Sequence, residues 1–394
     1  MCLGMTPERS IPHPRWAEVP EAEWSDWRWQ QRNRVSTLAQ LEQLVELDER
    51  EREGVGARGF GFAITPYYLS LMDRSRAGVS CPIRRQAIPV ADEGVPALGD
   101  WDDPLAEEDH SPVEILSHRY PDRALLYVSH NCPVYCRHCT RARKVGDVAS
   151  APGRAALEAA YAYLRRTPQI RDVLISGGDP LSLSDRRLVE ICTALRAIPS
   201  VEVMRLCTRN PVTLPQRVTP ELVVALRGLH PIWVSTHFNH PRECTLEAGR
   251  ALERLADAGF AIGNQTVLLR DLNDDAETLA ELNRWLVRHR CRPYYLFQCD
   301  PVRGSAHLRT PIETGLRILD QLRGRLSGLA IPQFVVDLPG GGGKVALTPD
   351  RVLAREGRRW RFRGADGRAF EYFDPAPGAP SPAVRERRRL PLLN

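Results

Sequence analysis

From Arg123 onward the chain alternates between short apolar runs and longer stretches whose apolar residues recur at helical spacing, a pattern that leaves few folds open. The runs read as strands near 124–129, 172–176, 201–207, 232–237, 260–268, 293–298 and 332–336. The stretches between them read as helices near 153–166, 184–197, 219–228, 245–258, 275–289 and 311–323. Repeated strand–helix–strand crossovers imply one parallel sheet with helices packed over it. About six units are too few to close an eight-fold barrel, so an α/β partial, open barrel of (βα)6 type is expected, with its chemistry beyond the carboxyl ends of the strands.

Around this core, residues 1–115 read as a helical and irregular N-terminal extension. Trp24, Trp27 and Trp29 open a polar helix running to Arg34, and Thr65-Pro66-Tyr67-Tyr68 begins an apolar segment. Residues 116–345 would form the barrel core, and 346–394 a small C-terminal region. That region is strand-rich to about Phe373 and then becomes a flexible tail with Pro375, Pro377, Pro380, Pro382 and the basic run Arg385 to Arg389.

The loop after the first expected strand carries Cys132, Cys136 and Cys139, separated by three and then two residues. Iron–sulfur clusters are held by cysteine thiolates, normally four, so a three-thiolate loop lets a 4Fe-4S cluster keep one iron open. The competing reading is a structural zinc site, which would want a fourth Cys or His at matching spacing. His138 lies inside the loop, but no second cysteine pair follows. The loop resembles that of the radical SAM superfamily. This resemblance implies S-adenosyl-L-methionine (SAM) on the open iron, cleaved by one electron to a deoxyadenosyl radical.

Of 54 basic side chains only Lys144 and Lys344 are lysine. Lysine can lose its proton and form a Schiff base, which arginine cannot. Lys344 follows Asp337-Leu338-Pro339 and the glycines Gly340 to Gly343, a run that reads as too flexible for helix or strand but suited to close approach to a bulky ligand. Pyridoxal 5′-phosphate (PLP) on Lys344 is one reading; a mobile glycine loop with a chance lysine is the other. Lys144 reads as an ordinary cation.

Basic and acidic residues, 54 against 49, are interspersed and leave a net charge of +5, so nothing demands a nucleic-acid partner. No apolar run reaches membrane-spanning length, and Met1 to Pro14 lacks a signal pattern. The ten cysteines form no disulfide framework. A redox-active cluster favours a reducing compartment, and a cytoplasmic location is expected.

The ordered motifs resemble the lysine 2,3-aminomutase family, which includes arginine 2,3-aminomutase and joins radical SAM chemistry to PLP. They include Asp26-Trp27-Arg28-Trp29-Gln30, His118-Arg119-Tyr120-Pro121-Asp122-Arg123, the cysteine loop and Ser176-Gly177-Gly178-Asp179. Further on come Thr236-His237-Phe238-Asn239-His240-Pro241, Gly263-Asn264-Gln265, Gln298-Cys299-Asp300 and Asp337 through Lys344.

By this resemblance Arg141 clamps the substrate carboxylate, a role that suits the bidentate fork of guanidinium. Arg119 and Arg123, with Gln265, look like the PLP phosphate site, unless these arginines pair with surface acids. Gly177 and Gly178 would let backbone approach SAM while Asp179 holds the loop. His138 and His237 are SAM contacts by the same token, though a lone histidine is equally often structural. Asp300 and Asp337 match aspartates that receive a basic side chain, which two converging carboxylates require; without the resemblance, helix caps or structural ion pairs explain them as well.

The implied activity moves the α-amino group of a free basic L-amino acid, lysine or arginine, to C3. The resemblance also implies a reducing electron donor of flavodoxin or ferredoxin type and a homo-oligomer. The family's zinc-binding cysteines are missing after the glycine run, and Asp275 stands near the position of another, so no structural zinc is expected. Phe297 in place of a tyrosine, Asn210, and Pro301-Val302-Arg303 also depart from the family pattern and are expected near the pocket. Two alternatives remain: an aminomutase acting on a lysine of elongation factor P, and a zinc-stabilised nucleic-acid-binding protein, which would be colourless and hold zinc.

Overall fold

The computed structural model describes residues 10–375 apart from 58, 76, 77, 79 and 147–151, so Pro377, Pro380, Pro382 and Arg385 to Arg389 lie outside the described residues. Up to Leu347 the chain forms one compact unit, and from Thr348 another. The first unit opens with short helices α1 (Glu21–Trp24), α2 (Trp27–Arg32), α3 (Leu38–Glu42), α4 (Glu49–Gly56), α5 (Pro66–Ser70) and α6 (Pro82–Ala87). The single helix expected from Trp24 to Arg34 is broken in two. Asp26 takes an extended backbone and accepts the Arg28 N–H at 2.9 Å, capping a fresh start at Trp27. Thr65 caps α5 in the same way, and Pro66 occupies its first turn, where no N–H is needed.

The sheet contains β1 (Leu116–Tyr120), β2 (Arg123–Ser129), β3 (Asp172–Gly177), β4 (Val203–Cys207), β5 (Ile232–Thr236), β6 (Ala261–Leu268), β7 (Cys291–Gln298), β8 (Gln333–Leu338) and β9 (Gly343–Leu347). The strands lie side by side in chain order. β2 to β8 run parallel, whereas β1 and β9 are antiparallel edges on β2 and β8. The intervening helices are α7 (Arg154–Arg166), α8 (Asp185–Arg196), α9 (Asn210–Thr213), α10 (Pro220–Arg227), α11 (Leu246–Asp257), α12 (Ala276–Arg288) and α13 (Ile312–Leu322). The (βα)6 partial barrel is therefore present.

Both antiparallel edges escaped the hydrophobic pattern, and the glycine run is a correction. Gly340 and Gly341 adopt left-handed φ of 70° and 80°, which reverses the chain so that Gly343 onward pairs with the free edge of β8. Lys344 is thus a strand residue, directly opposite Asp337. The two edges also approach one another: the Lys344 N–H donates to the Tyr120 hydroxyl at 3.1 Å.

The core forms between sheet and helices. α7 buries Leu157, Ala160, Tyr161 and Leu164, and α11 buries Ala248, Ala251, Leu252 and Leu255, each set at the spacing that lines one helix face. Val173, Ile175, Met204, Leu206, Ile232 and Val234 supply the sheet side. Each fully buried Leu or Ile contributes roughly 1.5–3 kcal/mol. Asp275 caps α12 by accepting the Thr278 N–H at 2.9 Å. The second unit, taken by itself, is an antiparallel meander of β10 (Val352–Glu356), β11 (Arg359–Arg363) and β12 (Ala369–Phe373), with Trp360 stacked on Phe362.

Candidate active site

The cysteine loop leaves the carboxyl end of β2 and is stapled from several sides. Arg34 donates to Asn131 Oδ1 at 2.9 Å and to the Cys132 carbonyl at 2.5 Å. The buried guanidinium of Arg137 reaches Glu93 at 2.8 Å and the carbonyls of Phe60 and Gly61 at 2.9 and 2.8 Å. Gly177, with φ 118°, and Gly178 close the loop against β3. A Cβ on them would sit 2.4 Å from the Ser129 carbonyl oxygen and 2.6 Å from that of Asn131. The close approach that demands glycine here is thus to the loop's own backbone. Asp179, buried, accepts from Leu181 N at 2.9 Å, Thr208 Oγ1 at 2.7 Å and Arg209 N at 2.8 Å, tying the β3 turn to the end of β4.

The three thiols converge. Burial and then the neighbouring Cys136 push the Cys139 thiol up to about 11. Burial, Asp179 and the other two cysteines push Cys132 up as well. Among the described residues no three His, Cys, Asp or Glu side chains are placed to hold a single metal ion. One tetrahedral ion with metal–sulfur bonds of about 2.3 Å would draw its thiolates together at a point. A cubane cluster instead takes each thiolate on a different iron, and the donor set fits that demand.

Beside the loop, His138 and His237 lie close enough to feel each other's charge. Burial, then Arg209 and Arg141, lowers His237 to about 4, and burial with Arg209 lowers His138 as well, so both imidazoles are neutral at pH 7. His138 Nε2 is 3.5 Å from Asn239 Nδ2, while its buried Nδ1 has no hydrogen-bond partner. Gln265 is half-buried in β6, and its backbone hydrogen-bonds His237.

A second group gathers where β7, β8 and β9 meet. Asp337 Oδ1 accepts from Arg119 at 2.8 Å, and its other oxygen is ion-paired with Lys344 Nζ. Nζ lies 5.2 Å from the centre of the Phe297 ring. Asp300 accepts a 2.6 Å bond from the Thr140 hydroxyl. Burial, aided by the charge of Asp337 and opposed by Thr140 and Lys344, raises Asp300 to about 6. Arg141 belongs to the same group electrostatically and is held by Glu107, with Nε at 3.0 Å and Nη2 at 2.7 Å from Oε1. Burial opposes charge on both partners of this pair. Their mutual attraction outweighs it, holding Glu107 below and Arg141 above their ordinary ranges.

Glu107 comes from a strap, residues 100–110, that fastens itself to the barrel's strand ends. Asp100 pairs with Arg309, and the Trp101 N–H donates to the Pro301 carbonyl at 2.8 Å. Asp102 meets Arg303 at 2.7 Å and Asp103 meets Arg143 at 2.8 Å. The Pro104 carbonyl accepts from Gly340 N at 2.9 Å, and the Leu105 carbonyl accepts from Arg119 at 3.3 Å.

The site residues expected from sequence therefore fall into two neighbouring groups, the cysteines with Asp179, His138 and His237, and Lys344 with Asp337, Asp300, Arg119 and Arg141. Arg123 stands at the edge of the second, its guanidinium 3.7 Å over the Tyr120 ring and paired with Asp122 at 3.1 Å. Pro301 and Arg303 are engaged by the strap, and Lys144 lies 4.7 Å over the Tyr127 ring. Asn210 is fully buried against Thr208 rather than open to a pocket. Sequence reasoning passed over Glu107, Thr140, Tyr120, Arg209 and Glu243. Tyr120 sits inside the His118–Arg123 motif and Thr140 directly follows the last cysteine of the loop, so both could have been found by asking what their hydroxyls serve; Glu107 carries no local signal.

Residues 126–282 match the Radical SAM superfamily, and residues 319–386 match the family described as Lysine-2,3-aminomutase. The chain is 48% identical over 360 residues to the L-lysine 2,3-aminomutase of Clostridium subterminale, covering 91% of this chain and 86% of that protein. It is 47% identical to the L-lysine 2,3-aminomutase of Fusobacterium nucleatum, covering 94% and 87% of the two chains. To the glutamate 2,3-aminomutase of Clostridioides difficile it is 39% identical, covering 90% and 84%.

Proposed function

The chain belongs to the lysine 2,3-aminomutase family of radical SAM enzymes, and from that premise we propose that it moves the α-amino group of a free basic L-amino acid, lysine or arginine, to C3. Membership makes it an isomerase that works with a 4Fe-4S cluster and SAM. The thiols of Cys132, Cys136 and Cys139 would hold the cluster, and His138, His237 and the Gly177–Asp179 turn would line the SAM side. Lys344 Nζ would carry PLP, with Arg119, Arg123 and Gln265 toward its phosphate. When bound, the cluster and SAM supply a carbon radical that takes hydrogen from the substrate, and PLP supplies the π-system across which nitrogen moves.

The chain's own part is grip, orientation and exclusion of water. Arg141, fixed on its Nε–Nη2 edge by Glu107 and beside the Tyr127 hydroxyl, would grip the substrate carboxylate. Asp337, already engaged by Arg119 and Lys344, orients the lysine amine. The strap from Asp100 to His110 shields the site and suits a free amino acid better than a lysine borne on a protein. A flavodoxin- or ferredoxin-type donor would supply the electron.

The observation that carries the substrate class is Asp300, a carboxylate whose hydrogen-bond donor is the neutral hydroxyl of Thr140 and whose acidity burial and Asp337 have shifted. A bound cation is what relieves it. Reduced enzyme with SAM and PLP, given lysine, arginine or glutamate, is expected to yield the β-isomer of a basic amino acid. Efficient turnover of glutamate would overturn the reading. Borohydride reduction and peptide mapping should place the pyridoxyl group on Lys344, and a label on Lys144 alone would show the wrong lysine was chosen.

A further inference from the structure

Behind the cysteine loop lies a buried polar network that substrate binding does not use. Arg209 follows β4 and is 9% exposed. Its Nε donates to the His237 carbonyl at 3.0 Å, and its Nη2 reaches Glu243 at 2.7 Å, the Tyr68 hydroxyl at 3.3 Å and the Gln86 side-chain oxygen. Its Nη1 points to the Cys136 sulfur at 2.7 Å. Glu243 is fully buried and also accepts from Tyr68 at 2.8 Å, Gln86 at 3.0 Å and the backbone of Asn239 and His240 at 2.6 and 3.1 Å.

Two features of this arrangement go beyond packing. The guanidinium is pinned by groups from α5, α6 and the segment after β5, so it cannot withdraw from Cys136. The ion pair with Glu243 also needs only one edge of the fork, yet the remaining arm is aimed at sulfur. Cys132 lies near the carboxylate of Asp179 instead, so the thiols stand in unequal electrostatic surroundings.

Resting on the reading that Cys136 holds the cluster, we propose that Arg209 is a positioning residue that raises the cluster's reduction potential through its hydrogen bond to the Cys136 thiolate, with Glu243 as the counter-charge that limits the effect. Reduction adds one negative charge to the cluster. A cation and N–H donor at a ligand sulfur stabilises the charged product more than the reactant, and a carboxylate behind that cation acts in the opposite sense. The potential of a cluster follows its net charge and the hydrogen bonds to its sulfurs, and this pair supplies both.

The test is redox potentiometry of the reconstituted holoenzyme, read by the electron paramagnetic resonance signal of the reduced cluster, with iron and sulfide determined on each sample. Arg209→Gln with full iron should have a lower midpoint. At the wild-type midpoint its ratio of reduced to oxidised cluster should fall about tenfold, equivalent to ~59 mV for one electron. Arg209→Lys should recover part of that loss. Glu243→Gln should shift the midpoint upward, a sign that a merely structural role would not produce. An iron-loaded Arg209→Gln with the wild-type midpoint overturns the proposal. If that variant loads no iron, a loaded Glu243→Gln with an unmoved midpoint does the same. Folded variants that both fail to load would assign the pair to structure alone, which also overturns it. Failure of the wild-type chain to take up iron would instead sink the cluster reading itself.

Discussion

Asp300 and Asp337 feel each other's charge yet keep different company. Asp337 has two cations on it, whereas Asp300 has a hydroxyl. Because burial and Asp337 raise Asp300 from 3.8 to about 6, ionising it costs folding stability as the pH rises through that window, and the cost persists above it. A basic substrate offsets that cost. The apparent KM for a basic amino acid should therefore rise as the pH falls below about 6, a limb that Asp300→Asn should abolish while weakening binding by roughly 1–3 kcal/mol. The same substitution should make the ligand-free protein more resistant to denaturant near pH 7; a KM profile flat across this range would count against the assignment. Glu107→Gln should cost about 1–3 kcal/mol in urea unfolding, since it leaves the Arg141 guanidinium under-compensated. At this scale the sequence named Asp300, Asp337, Arg141 and Lys344 through motif context. It could not name the partner of Arg141, which lies 34 residues away in a segment without periodicity.

The parallel strands and the helices between them were legible because one period or the other runs unbroken through each. The antiparallel edges were not. β1 carries His118-Arg119-Tyr120, polar side chains engaged with Tyr163, Asp337 and the backbone of Lys344 rather than filling a core, and β9 begins in glycine. Their pairing is imposed by the neighbouring strand, not by their own pattern. A glycine inside α13 illustrates the opposite case, where tertiary packing selects the residue. A Cβ on Gly315 would lie 2.3 Å from the tip of the fully buried Phe334 ring in β8. Gly315→Ala should therefore destabilise the protein by about 1–3 kcal/mol despite alanine's better helix propensity, seen as a lower Tm. Phe334→Leu in the same chain should recover part of the loss. A Gly315→Ala protein as stable as wild type would show that the helix and strand separate more easily than their packing implies.

In the whole molecule the residues proposed for the site come from segments scattered along the chain: the strap, β1, the cysteine loop, the turns after β3, β4, β5 and β7, and the last two strands of the barrel. The architecture was legible because it follows from strand order, but the strap was not, since its residues earn their positions one ion pair at a time. Replacing Asp102 by Ala should loosen the strap without touching the core. Accelerated proteolysis within residues 100–110 and a higher KM are expected, with little change in urea midpoint, because the Asp102–Arg303 pair is exposed and screened by solvent. Unaltered proteolysis and KM would show that the backbone bonds to Pro301 and Gly340 suffice.

The meeting of β1 with β9 joins Tyr120 to Lys344 across 224 residues. During synthesis the cysteine loop, the histidines and both aspartates emerge before the one amine expected to carry an aldehyde cofactor. On the proposed reading, a chain still being made has the residues for the cluster before the one for the cofactor, and only completion of β9 brings the two under one roof.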